Sequence, residues 1–214
     1  MIAPDKSRHD APALDELQLD ALGELFNLGV GRAANSLSLI VKDEVELSAP
    51  SISFAYPSQI SQALLGSEFK ELSMVAMDFS GPFEARAVLL FPERNALAIL
   101  SHMLDPNMPP EELSEFEQEA MCEIGNIILN ACMSALADEF NVEFMGSLPE
   151  HHFSDTESLP LFSGDQKEVL LILQIHLSIR QERINGHLLF LLSVSSLHAL
   201  LTCVDSYLTR LGIR

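Results

Sequence analysis

Glu24 and Asn27 stand three residues apart, with Asp20 four residues before the glutamate. Glu123 and Asn126 repeat that spacing, with Glu119 four residues before. On a helix, positions i, i+3 and i+4 project side by side. Each set therefore places a carboxylate next to a carboxamide, where both can act on one small target. A single pair of this kind is ordinarily a solvated helix face. The recurrence adds weight, although residues kept by descent account for part of it. Each asparagine is followed 23 positions later by a proline, Pro50 or Pro149, and every matched pair of positions is offset by 99. Small residues follow the first set (Gly31, Ala34, Ser38), where a merely solvated face would more often carry Lys, Glu or Arg. Such a face suits close approach by another protein.

Other chemistries find less support. Serines, histidines and cysteines are scattered without the paired placement a nucleophile needs. Asp20 and Glu24 lie a single turn apart on an exposed face, an unconvincing arrangement for glycoside hydrolysis. His151 and His152 with Asp155 form the one tempting metal cluster, but neighbours on a strand point to opposite faces, so no metal site is expected. Gly29-Val30-Gly31 lies inside a helical pattern with no preceding strand, so it is not a dinucleotide fingerprint.

The motif positions fall on two helices. Leu22, Leu25, Phe26, Gly29 and Ala33 centre on one face of a helix running from Leu14 to about Val41, with Asp20, Glu24 and Asn27 opposite. Met121, Ile124, Ile128, Cys132 and Ala135 form the same stripe on a second helix, with Ser114 as N-cap and Glu117 completing a capping box. Between and after them, alternation predicts strands over 44–56, 70–79, 85–91, 141–147, 168–179 and 187–194. A turn containing Asn185-Gly186 joins the last two. Short helices are expected over 57–65 and 93–104, a breaker over 105–112, a loop over 154–167 and a closing helix over 195–211. Helix, strand, strand, strand, helix thus occurs twice, over about 15–105 and 114–211. The period is too long for a solenoid. Each half alone has an incomplete sheet, so residues 14–214 are expected to form one pseudo-twofold domain in which joining the halves covers exposed edges. Residues 1–13 read as a flexible tail.

Composition narrows the class. The chain has 214 residues, is 48% hydrophobic and carries a formal charge of −19. That charge repels phosphate backbones and anionic membranes, which argues against nucleic-acid and membrane partners. The start lacks the apolar core of a secretory signal. The apolar region from Leu188 to Val204 is broken by Ser193, Ser195, Ser196 and His198, and reads as a buried strand followed by a helix rather than a span. Three cysteines without CxxC spacing suggest reduced thiols in a cytoplasmic protein.

At the motif residues the chain resembles the CheC/CheX/FliY phosphatases of bacterial chemotaxis. The family signature of Asp or Ser, Glu four residues on, Asn three further, and Pro after a fixed gap appears as Asp20, Glu24, Asn27 and Pro50. It appears again as Glu119, Glu123, Asn126 and Pro149, departing from the pattern at Glu119. NLGVGRAANSL and LLFPERNALAIL are similar to further family segments, and the resemblance spans residues 15 to 211. Two motifs are more like two-site CheC than CheX.

The resemblance implies an α+β sandwich: a continuous, mostly antiparallel sheet packed with helices, two of them long, motif-bearing and at the surface. It implies hydrolysis of the phosphoaspartate of a CheY-like response-regulator receiver. Glu24 and Glu123 would pair with the receiver's lysine, and Asn27 and Asn126 would position the attacking water. Asp20 and Glu119 would support the grip or cap the polar face, while Pro50 and Pro149 would be structural. No cofactor is implied for this chain, since the receiver supplies Mg²⁺. The alternatives are a non-catalytic receiver-binding or flagellar-switch protein, or an adaptor for CheD.

Overall fold

The computed structural model describes residues 14–56, 71–103, 110–155, 168–179 and 182–214. The elements are α1 (Glu16–Val41), β1 (Val45–Ala55), β2 (Glu71–Ser80), β3 (Ala85–Pro92), α2 (Glu93–Met103), α3 (Pro110–Phe140), β4 (Met145–Gly146), β5 (Glu150–Asp155), β6 (Glu168–Ile179), β7 (Glu182–Ser193) and α4 (Val194–Arg210). The expected tail at 1–13, the short helix over 57–65 and most of the loop over 154–167 lie outside the described residues.

The α+β sandwich expected from the resemblance is what the chain forms. Seven strands make one sheet in the order β1-β6-β7-β3-β2-β4, with β5 also on β2, and every pairing is antiparallel. Each half lends its first strand to the other: β1 pairs with β6, and β4 and β5 pair with β2. The order therefore reads the same from either edge. At its centre Leu89 pairs with Leu188, residues that are themselves 99 apart, so the pseudo-twofold axis passes between them.

The helices pack on one face. Leu22, Leu25 and Phe26 of α1 and Met121, Ile124 and Ile128 of α3 are fully buried against Val75, Leu89, Leu173 and Leu188 of the sheet. Burial of one such side chain is worth about 1.5–3 kcal/mol. A smaller apolar cluster, including Leu72, Met74, Val88, Leu90 and Leu189, occupies the other face. The helices cross where Gly29 meets Cys132: a Cβ on Gly29 would lie 2.6 Å from the Cys132 Cα.

Three local expectations are corrected. The strand expected over 141–147 is only Met145–Gly146, and a further strand, Glu150–Asp155, follows it and takes the first two residues of the loop expected over 154–167. Asn185-Gly186 is not a turn. Asn185 pairs with His176 and Gly186 with Ile175 within β7, and the strands run on to the pair Ile179–Glu182. Glycine is required at 186 because a Cβ there would lie 2.4 Å from the Phe91 ring. The second long helix starts at Pro110, four residues before Ser114. Proline suits a first helical position, where its missing N–H costs nothing. Glu117 is therefore interior to α3 and buried, with Oε1 lacking a hydrogen-bond partner. The capping box occurs instead at the matching positions of the first repeat. Asp15 accepts from the Gln18 N–H at 2.9 Å and Gln18 Oε1 accepts from the Asp15 N–H at 3.1 Å.

Candidate functional site

Both motif sets lie on outward faces, as helical spacing requires once the apolar stripes are buried. In the first repeat Asp20, Glu24 and Asn27 are exposed. Leu28 beside them is also exposed, at 41%. In the second, Glu119 and Glu123 are exposed and Asn126 is half-buried. Among the described residues, no basic side chain pairs with any of the four carboxylates; the ion pair tying α1 to α3 is Arg32 to Asp138, 2.6 Å.

Each proline sits at a strand irregularity beside its motif helix. On β1, Ser48 pairs with His176 and Ser51 with Gln174, so β1 holds one extra residue around Ala49 and Pro50. From β4 to β5, Gly146 pairs with Phe79 and Glu150 with Ala76, again one extra residue, ahead of or at Pro149. A bulge tolerates a residue with no N–H to give to the ladder and bends the strand. In the first repeat the bend brings the Ala49 N–H to Asn27 Oδ1, 3.3 Å away. In the second, the Pro149 carbonyl accepts from Cys122 Sγ at 3.8 Å, and Asn126 Oδ1 accepts instead from Asn130 Nδ2 at 2.7 Å.

The small-residue face is shorter than expected. Ala34 is buried, and Ser38 closes the turn into β1: its Oγ donates to the Ala34 carbonyl at 2.9 Å and accepts from the Val45 N–H at 3.0 Å. Gly31 alone of the three stays open, with nothing within 4 Å of a Cβ placed there.

The remaining reactive groups serve packing. Ser73 Oγ lies 2.8 Å from His151 Nε2, a Ser–His pair that spacing did not reveal because β2 and β5 bring it together. Burial followed by the charge of His152 lowers the His151 pKa, but Ser73 is wholly buried, so the pair presents no nucleophile to a substrate. Burial pushes the Cys132 thiol up to about 12. Two cavities, of about 630 and 830 Å³, include Arg86 with Ser196 and His176 with Arg183 in their walls; neither is lined by Glu24, Asn27, Glu123 or Asn126. The motif faces are open surface, a shape that suits a macromolecular partner.

Among the described residues one helix, residues Phe116–Phe140 of α3, is long and apolar enough to cross a membrane. Its apolar side chains pack against the sheet and α1.

Comparison with known proteins gives a consistent result. The family described as Chemotaxis phosphatase CheX matches residues 73–170, a stretch that contains Glu123 and Asn126. The CheY-P phosphatase CheC of Bacillus subtilis is 22% identical over 140 residues, covering 64% of this chain and 66% of CheC. The flagellar motor switch phosphatase FliY of the same organism is 24% identical over 145 residues, covering 66% of this chain and 37% of FliY. The chain thus spans just under two thirds of one relative and little over a third of the other. The crystal structure of Thermotoga maritima FliY superposes with a TM-score of 0.73 at 17% identity, covering 91% of this chain and 99% of that one.

Proposed function

We propose that this chain, a relative of the CheC/CheX/FliY family, is a phosphatase for the phosphoaspartate of a CheY-like receiver domain. The observation that carries the reading is the Glu–Asn pair displayed twice on open helix faces, with carboxylates that no basic side chain among the described residues pairs and with internally anchored carboxamides. An acyl phosphate is already activated, and the receiver supplies Mg²⁺ and a lysine. What such a site lacks is a water in line with the leaving carboxylate. Glu24 or Glu123 forms a charge-assisted pair with the receiver lysine. That contact sets Asn27 or Asn126 over the phosphoryl group. A carboxamide holds water without taking a proton from it. The water oxygen bonds to phosphorus, the bond from phosphorus to the aspartyl oxygen breaks, and the water proton passes to solvent or to the released phosphate. Asp20 and Glu119 reinforce the negative face, and the bulges at Pro50 and Pro149 set its edge. A receiver phosphatase of this kind works in the cytoplasm.

The test is phosphate release from a phosphorylated receiver. Asn27→Ala with Asn126→Ala removes the acceleration while the circular dichroism spectrum is kept, and Asn27→Ala alone takes the larger share. A double variant that still accelerates release overturns the reading. The FliY relative is named a flagellar motor switch phosphatase, and a switch protein that binds the receiver without hydrolysis is the second reading. An adaptor role toward CheD is a third. Both predict no acceleration by the unaltered chain, and added CheD separates them.

A further inference from the structure

The two carboxamides are anchored by different donors. In the first repeat the donor is main chain. An amide N–H only donates, so the Asn27 atom 3.3 Å from the Ala49 nitrogen is Oδ1, and Nδ2 is turned away from it. In the second repeat the orientation follows from a chain of two contacts. The main-chain oxygen of Asn126 only accepts, so the Asn130 atom 2.9 Å from it is Nδ2. The same nitrogen lies 2.7 Å from the Asn126 side chain, which must meet it with Oδ1. Met77 Sδ, at 4.0 Å, is a third weak acceptor around that nitrogen. On its other side, Asn130 packs against β4: its Oδ1 lies 3.4 Å from the position a Cβ on Gly146 would take. The position matching Asn130 in the first repeat is Gly31, where no side chain exists to act.

We propose that Asn130 is a positioning residue of the second site. It locks the Asn126 carboxamide with Oδ1 inward and Nδ2 facing the partner, doing with a side chain what the Ala49 N–H does for Asn27. This rests on the phosphatase reading above. An unlocked carboxamide turns freely between two orientations of similar shape, only one of which offers a donor to the water. The water held by Nδ2–H uses one lone pair and keeps the other for phosphorus. Removing that freedom before the partner arrives raises the fraction of encounters that react.

The test uses the full chain carrying Asn27→Ala, so that the second site acts alone. Asn130→Ala removes the donor. Asn130→Asp keeps the shape but sets a carboxylate, which only accepts, against Asn126 Oδ1. The expected order of kcat is Asn130 above Asn130→Ala above Asn130→Asp, with the last reduced roughly tenfold or more and KM changed by less than about twofold. Unchanged kcat, or a rise in KM alone, overturns the proposal. If the Asn27→Ala chain itself releases no phosphate, the phosphatase reading fails at the second site, and the lock is read in the free protein. There the Asn126 side-chain NH₂ resonances shift in Asn130→Ala while those of Asn27 in the unaltered background stay in place; no shift at Asn126 overturns the lock. Thermal melts of each variant separate unfolding from loss of positioning.

Discussion

Glu24 and Glu123 stand in water with no cationic neighbour among the described residues, whereas both asparagine oxygens are already bound inside the molecule. Under the proposed phosphatase function that contrast divides the labour: the glutamates would bind a partner and the asparagines would orient what the partner brings. Glu24→Ala with Glu123→Ala should therefore raise the dissociation constant for an activated receiver by about tenfold. Asn27→Ala with Asn126→Ala should raise it by less than about threefold while hydrolysis is lost. A binding titration decides, and equal losses of affinity from the two pairs would remove the division. The glutamates and asparagines are legible from spacing alone, since i and i+3 fix their adjacency on any helix. Their anchors are not. Ala49 is an unremarkable apolar residue whose N–H matters only because a bulge aims it, and Asn130 looks like one more polar residue on an exposed stripe.

At the scale of the elements, two glycines that look alike in GVG do opposite things. Gly29 sits at the crossing of α1 and α3, 2.6 Å from backbone once given a Cβ, and Gly31 faces open space. Gly29→Ala should destabilise by about 1–3 kcal/mol through overpacking, although alanine is the better helix former. Gly31→Ala should stabilise by up to about 1 kcal/mol, and paired denaturant melts measure both. Helix α3 also carries a cost. Burial, and then the charge of Glu93, raises the pKa of Glu117. A hydrogen bond with Glu71, together with burial, raises that of Glu93. A carboxyl whose folded pKa is raised stabilises fully below its unfolded value of 4.5 and loses that contribution as pH rises through the folded value. Glu117→Gln should therefore stabilise by about 1 kcal/mol at pH 7, with the gain fading toward pH 4. The first repeat already carries Gln18 at this position, where Nε2 donates to Asp205 Oδ1 at 3.0 Å. Melts of the variant and the unaltered chain at the two pH values check the sign.

At the scale of the molecule, the exchange of edge strands binds the halves more tightly than covering an edge would. β1 spans 11 residues and is paired along β6 of the other half, while β2 of the first half takes β4 and β5 of the second. Neither half can then complete its own sheet, and each would expose a long unpaired edge. Residues 1–106 and 107–214 produced separately should show little cooperative melting. Mixed during refolding, they should recover a single transition in circular dichroism. Cooperative folding of either fragment alone would contradict the exchange. The same architecture sends the two motif helices across one another in opposite directions on one face of the sheet, which places the two sites at opposite ends of the crossing.

Period and spacing were enough to specify the helical faces, the doubled Glu–Asn pair and the duplication, because each depends on residues close in sequence or on a fixed offset, while the α+β sandwich was implied by the family resemblance of those motifs. Strand exchange, the bulges at Pro50 and Pro149, the buried fate of Glu117 and the orientation of the two carboxamides follow from contacts between residues distant in the chain. No local pattern encodes which N–H meets which oxygen at a separation of 22 positions; that is settled when the core packs and every buried polar group must find a partner or go without.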